Sequence, residues 1–175
     1  MAKAKVENKE LVEEVEVQET QKPLVPKEID PSMLITVRNG FQGRLIYKSA
    51  RTGEMYIWDG FGSEQELELK ELRNAKNSAK KFFANNWFMF DEEFSWVIEY
   101  LGVGQYYKHA VSLKNFDKVF TKTPAEITKL VSAMSAGQKK SMVYRARMAI
   151  VNGEIDSNKA IAALEKALDV ELVEH

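Results

Sequence analysis

The sequence predicts an α+β fold in which an N-terminal extended arm precedes a four-stranded antiparallel β-meander and a C-terminal helical region. Three observations indicate this order. The first forty residues contain no aromatic side chain, short β-branched and aromatic runs separated by glycine follow them, and helix-capping motifs mark the last third. Because the strands come before the helices instead of alternating with them, parallel βαβ units are not expected.

Residues 1–31 are predicted to form an extended or disordered arm. They contain five lysines and eight acidic residues, and three of the chain's four prolines, Pro23, Pro26 and Pro31, lie in their second half. Prolines oppose both a helix interior and a central strand, and the arm holds too little apolar surface to offset the entropy lost on ordering. The arm is therefore expected to bind a partner and to contribute nothing to the fold of the remaining body.

Two modes of partner binding are open for the arm. The segment from Val12 to Val17 mixes valine with glutamate, a pattern that can add as a strand to the sheet edge of a neighbour. Alternatively, Leu24 and Val25, which prolines flank, can lie extended in a groove. The candidate partner-binding residues of the arm are Val12, Val15, Val17, Leu24 and Val25.

Residues 32–107 are predicted to form the β-meander together with aromatic-rich helices. The last strand-like run leaves an alternative open, since Ser63 and Glu66 could form a capping box that begins one long helix. The strand is preferred because Leu67 and Leu69 are two residues apart. The four strand-like runs, separated by glycine-containing turns, are Leu34–Arg38, Leu45–Ser49, Met55–Asp59 and Glu64–Leu69.

An amphipathic helix is predicted for residues 70–85, where apolar residues recur at three- and four-residue spacing. Trp87–Phe90 is expected to be either a strand edge or a packed connector. A second helix is predicted from Asp91 to about Leu101, since Asp91 is a good N-cap and acidic residues follow it.

Residues 108–175 are predicted to form a helical subdomain. Capping boxes open two of its helices, at Thr123-Pro124-Ala125-Glu126 and at Ser135-Ala136-Gly137-Gln138, and the last helix begins at Asp156 or Ser157. The residues expected in the core of the whole body are Trp58, Phe82, Phe83 and Ile161.

Ten of the eighteen aromatic residues fall between Phe82 and Tyr107. A segment this rich in large rings must be buried, either in its own core or against a partner. One small domain rarely buries ten rings completely, and aromatic residues are enriched where proteins dock. The rings expected to be in surplus, and hence to bind a partner, are Phe88, Phe90, Trp96, Tyr106 and Tyr107.

The residue inventory argues against an enzyme. The chain has no cysteine, and its two histidines are His109 and His175. The usual zinc sites and a thiolate nucleophile therefore lack their residues, and a catalytic triad would depend on His109 alone. No catalytic, cofactor-binding or metal site is expected, and the lack of a long apolar run argues against a membrane partner.

A basic helix keeps a second class of function open. The helix after Ser135 lies between two others, which could place it as the reading head of a helix-turn-helix. Against a nucleic-acid partner, the formal net charge is only −1 at pH 7. The candidate nucleic-acid contacts are Lys139, Lys140, Tyr144, Arg145 and Arg147.

Several short stretches of the body resemble known proteins. They are Arg73-Asn74-Ala75-Lys76-Asn77-Ser78, Lys81-Phe82-Phe83, Asn86-Trp87-Phe88, Tyr100-Leu101-Gly102, Tyr106-Tyr107 and Gly153-Glu154-Ile155-Asp156-Ser157. Together they resemble small virion-associated structural proteins of tailed bacteriophages over about residues 33–172. The resemblance implies a capsid-, neck- or tail-associated protein, made in the host cytoplasm, that forms homo- or hetero-oligomers with other virion structural proteins. It brings no site residues with it.

Overall fold

The computed structural model describes residues 25–174 and confirms an α+β fold with antiparallel sheets. The strands are β1 (Leu34–Asn39), β2 (Leu45–Lys48), β3 (Met55–Trp58), β4 (Glu64–Glu68) and β5 (Phe88–Met89). The helices are α1 (Leu69–Ser78), α2 (Lys81–Ala84), α3 (Trp96–Leu101), α4 (Gly104–Tyr107), α5 (Pro124–Ser132), α6 (Ala136–Val151) and α7 (Asn158–Leu168). Three 3-10 turns, Glu92–Phe94, Leu113–Asn115 and Asp117–Thr121, lie among them.

The predicted four-stranded meander is wrong, because the strands form two separate sheets. One has the order β4-β1-β5, and the other is the antiparallel hairpin of β2 and β3. The side chain of Asn39 explains the separation. Its amide donates to the carbonyl oxygens of Gly43 and Gly60, and its Oδ1 accepts from the backbone N–H of Phe41. These bonds turn the chain away at the end of β1, and β5 takes the place beside β1 instead of β2.

The first core lies between the two sheets and the helices α1 to α4. Trp58 fixes the hairpin to the larger sheet, since its indole N–H donates to the carbonyl oxygen of Val37 at 2.9 Å. Phe82 and Phe83 are buried there as expected. The strand prediction for β4 is confirmed, with Leu67 buried opposite Ile35.

The two helices predicted for residues 70–85 and for Asp91 to about Leu101 are both shorter in the structure than the sequence pattern predicts. The helix expected over residues 70–85 breaks after Ser78, where Ala79 adopts φ −143°, and α2 is a separate turn. The Ser78 hydroxyl donates back to the carbonyl oxygen of Asn74 at 2.8 Å, a bond that competes with helix continuation. The helix expected from Asp91 is divided into a 3-10 turn and α3.

The second core is helical and is formed by α5, α6, α7 and the 3-10 turn Asp117–Thr121. The capping box at Thr123 is present in full, whereas Ser135 caps α6 without a reciprocal bond from Gln138. The Gln138 amide instead bonds both the N–H and the C=O of Val111. Ser157 caps α7, and Ile161, expected in the core, is only half-buried.

A close seam joins the two cores. Phe61, in the turn between β3 and β4, packs on Phe116 with the ring centroids 5.2 Å apart. Ser141 of α6 donates a hydrogen bond of 2.9 Å to the carbonyl oxygen of Gly40. Gly137 lies directly against Asn85, so that the first turn of α6 approaches the end of α2 without an intervening side chain.

The end of the predicted arm contacts the body. Ile29 packs against the first core, and the carbonyl oxygen of Pro31 accepts from the N–H of Lys70 at 2.8 Å. The chain therefore reaches the body beside the start of α1. Val25 is the first described residue and is exposed, whereas Val12, Val15, Val17 and Leu24 lie outside the described residues.

Candidate docking surfaces

Two of the rings predicted to face a partner are buried in the chain's own core. Phe88 is fully buried, and its ring lies 4.9 to 5.6 Å from those of Phe82, Phe83, Trp58 and Tyr47. Trp96 is 2% exposed at the start of α3. The expectation of surplus rings fails at Phe88 because β5 lies against the first core, where its ring meets rings of the β2–β3 hairpin and of α2. It fails at Trp96 because α3 packs against α1 in the same core.

The other three rings are half-buried against the same core. The hydroxyl of Tyr107 donates to the carbonyl oxygen of Phe88 at 2.7 Å, and burial raises the pKa of Tyr107 well above its ordinary value. Phe90 lies beside Tyr107 and lines an open groove with Leu113. Tyr106 packs on the core and exposes part of its ring. Only part of the predicted aromatic surface therefore faces outward.

Helix α6 carries the most exposed apolar face among the described helices. Tyr144, Met148 and Val151 are 52%, 45% and 81% exposed. Their spacing of four and three residues places them on one side of the helix. The opposite side is buried in the second core through Met142, Ala146 and Ala149. The helix is thus apolar on two opposite sides, one of which packs in the second core while the other faces outward.

The cations of α6 differ in what they contact. Arg145 forms a double hydrogen bond with the carboxylate of Asp117, which holds the pKa of Arg145 above its ordinary value, and its guanidinium lies 4.6 Å from the ring centre of Phe61. Arg147 donates to the carbonyl oxygen of Glu171 at 3.0 Å. Lys139 is half-buried and Lys140 exposed, and neither forms an ion pair with a described residue.

The strand β2 has a free edge. The N–H of Ser49 donates to the carbonyl oxygen of Glu54, so that these two residues form a hydrogen-bonded pair of the hairpin. Along an antiparallel ladder, hydrogen-bonded residue pairs alternate with pairs that are not hydrogen-bonded to each other. Ile46 and Lys48 are therefore in the non-bonded pairs, and their N–H and C=O groups point away from β3. The other edge of the hairpin confirms this register, since the carbonyl oxygen of Ile57 accepts from the side chain of Gln65.

An open groove of about 570 Å³ runs along this free edge. Ile46–Lys48 lines one side, and Ser78–Phe82, the connection between α1 and α2, lines the other. Three of the eight lining residues are the lysines Lys48, Lys80 and Lys81, and none of the eight is acidic. Sequence reasoning missed this groove because it paired β2 with β1. The five residues between these strands, which include Gly40 and Gly43, have a length that hairpin loops also have, so the sequence held no signal against that pairing.

A buried carboxylate fixes the hairpin beside α1. Glu71 is 1% exposed and accepts from the hydroxyl of Tyr47 at 2.7 Å, from Arg51 at 3.1 Å and from Asn74 at 3.1 Å. Burial alone would raise the pKa of the Glu71 carboxyl, but these bonds and one from the hydroxyl of Ser49 together lower it. The ionised carboxylate is therefore a structural link that sets the distance between β2 and α1.

No group of three or more metal-ligating side chains lies together within residues 25–174, and His109 is exposed. No helix in this part of the chain has the length and apolar character needed to cross a membrane. Comparison with known proteins finds no matching family model, no similar curated protein and no matching solved structure.

Proposed function

We propose that this chain is a non-enzymatic structural or assembly component of a bacteriophage particle. It binds other virion proteins, including copies of itself, through its N-terminal arm and the outward-facing part of its aromatic surface, and is made in the host cytoplasm before it enters the virion. The observation that carries the proposal is the outward apolar stripe of α6, formed by Tyr144, Met148 and Val151. The resemblance of the body to virion-associated proteins points to the same role.

The stripe is suited to a protein partner. Complete burial of one large apolar side chain contributes about 1.5 to 3 kcal/mol, and the three residues have roughly half or more of their surface left to bury. Tyrosine and methionine are both enriched at docking surfaces, where one offers a hydroxyl and the other adapts its shape. A covered stripe would therefore contribute several tenfold steps in affinity.

The proposal is tested on particles and on the purified chain. Mass spectrometry of density-banded particles should find the chain in fixed proportion to the shell protein, and its absence from banded particles would contradict the proposal. In solution, the variant Tyr144→Ser with Met148→Ser and Val151→Ser should bind its virion partners at least about tenfold more weakly with an unchanged melting temperature. Leu34→Ser with Tyr100→Ser is the matched control, because both residues are exposed on other elements.

The alternative function is nucleic-acid binding through α6. Lys140 and Tyr144 are exposed one turn apart, which favours a contact with phosphate and base. However, Arg145 is held by Asp117, so that Lys139, Lys140 and Arg147 are left to reach phosphates. Three contacts predict a slope of about −3 in a plot of log affinity against log salt. A slope of this size that Lys139→Glu with Lys140→Glu reduces to about −1 would favour this function, and no binding at low salt would exclude it.

A further inference from the structure

We propose that the free edge of β2 receives residues 13–19 of a second copy of this chain as an added strand. The inference rests on the proposed function, in which the arm acts on neighbouring proteins, and it names both the site and the occupant. It starts from the two residues whose main-chain groups face the groove, Ile46 and Lys48. Neither makes a hydrogen bond through these groups to another described residue.

An unpaired strand edge is a template for another strand. The two residues offer two N–H donors and two C=O acceptors at the spacing of an antiparallel or parallel partner. The groove beside them is open, so that this edge can be reached from solvent. Native proteins usually cover such edges or place charged side chains on them. Here Lys48 is the one charged side chain of Ile46–Lys48, and it leaves the edge accessible.

The walls of the groove specify what kind of strand fits. Ala79 and the rings of Tyr47 and Phe82 give it an apolar floor, and Lys48, Lys80 and Lys81 supply positive charge around it. A strand that suits the groove therefore carries apolar side chains on the face toward the floor and carboxylates on the other face.

Residues 13–19 of the arm have this pattern. Val15 and Val17 are two residues apart and fall on one face of a strand, whereas Glu14 and Glu16 fall on the other. The seven residues contain four glutamates and no lysine or arginine. Glu13 and Glu19 fall on the valine face at its two ends, so the apolar part of that face is Val15 and Val17. Charge and alternation thus both match the groove, and the segment lies on the same chain as the edge that it fits.

We assign the donor to a second copy because of where the chain reaches the body. The chain arrives beside Lys70, at the start of α1, whereas the groove lies at Ser78 and Ala79, where α1 ends. A segment that fills its own groove would have to run back along α1, and a segment from a second copy has no such constraint. Each copy carries one edge and one segment, so that two copies can exchange segments reciprocally about a two-fold axis, or the contact can continue from copy to copy into a ring or filament.

The test uses three full-length variants. Ile46→Pro blocks the edge, and it leaves the hairpin intact because the N–H of Ile46 points outward and proline is tolerated at such an edge position. The double variant Val15→Pro with Glu16→Pro blocks the segment, whichever of its two alternating sets of backbone N–H groups faces the edge of β2. Met55→Pro, on the opposite edge of the same hairpin, is the control, because Met55 is exposed and also in a non-bonded pair.

Self-association is measured by sedimentation, and protection of the Lys48 amide by hydrogen exchange. The wild-type chain and the Met55→Pro control should associate and protect this amide at high concentration. The two blocked variants should each associate at least about tenfold more weakly. Mixed together, they should form a heterodimer, since one keeps the segment and the other keeps the edge. Lys80→Glu with Lys81→Glu should weaken association, and Glu14→Lys with Glu16→Lys on the donor should restore it.

Three results would overturn the inference. One is association of both blocked variants at wild-type strength, in which case the proposed assembly role survives through another surface. Another is protection of the Lys48 amide that persists on dilution to the monomer, since this places the segment in its own groove. The third is a wild-type chain that stays monomeric and whose Lys48 amide is not protected from exchange. In that case the proposed function is still tested separately, by whether the chain is found in banded particles.

Discussion

Gly137→Ala is expected to destabilise the chain, although alanine is the better helix former. A Cβ atom at this position would lie 2.2 Å from the carbonyl oxygen of Asn85 and 2.6 Å from the Asn85 Cβ. The contact is too short by about 1 Å, and the obstacle is backbone that cannot rotate away. Overpacking of this kind costs about 3 kcal/mol at the upper end of its usual range, against a gain in helix propensity of at most about 1 kcal/mol.

The net loss should therefore be about 2 kcal/mol, which lowers the melting temperature by about 4 to 8 °C for a body of this size. Thermal unfolding followed by circular dichroism measures it. Gly104→Ala is the matched control, because a Cβ there meets no atom within 4 Å, and it should leave the melting temperature unchanged or slightly raised. If Gly137→Ala is as stable as the wild type, Gly137 of α6 does not lie against Asn85. The close contact described between the two cores would then be wrong.

Three further changes test other parts of the structure. Glu71→Gln should lower the free energy of unfolding by about 1.5 to 3 kcal/mol at neutral pH. The pKa of Glu71 is lower in the folded chain than in the unfolded chain, whose value is about 4.3. The carboxylate therefore contributes its full stability above that value, and this stability is lost as the pH falls through the pKa of the folded chain. The stabilities of both chains, measured by urea unfolding, should thus converge as the pH falls below the ordinary glutamate value, and a constant difference would contradict the ionic link. Phe82→Ala should cost about 3 to 5 kcal/mol in the same assay, and an unchanged urea midpoint would place Phe82 at the surface. Deletion of residues 1–24, which keeps Ile29 and Pro31, should leave the melting temperature of the body nearly unchanged while it weakens assembly; a large loss of stability would show that the arm packs on its own body.

The features that sequence predicted correctly are local ones. The caps at Thr123, Ser135 and Ser157 depend on residues within one helical turn, and the structure has all three. The strand at Glu64–Glu68 follows from the alternation around Leu67. The separation of strands from helices gives the α+β class without any knowledge of pairing.

The break of the predicted 70–85 helix has a local cause at Ser78, but the other features that sequence predicted wrongly depend on distant partners. Whether β1 pairs with β2 or with β5 is decided by the hydrogen bonds of Asn39 to residues as far away as Gly60. The same reasoning applies to Gln138, whose side chain leaves the capping box for Val111, 27 positions earlier in the chain. The burial of Phe88 follows from β5 joining the larger sheet. Once β2 was assigned to the wrong neighbour, its free edge could not be anticipated.

A density map of the assembled particle tests the proposed role most directly. We expect ordered copies of this chain in the capsid, neck or tail, with Tyr144, Met148 and Val151 of α6 covered by another protein chain. A map in which every protein is traced without this chain would contradict the proposed function, as would a map in which the α6 stripe faces solvent in every copy.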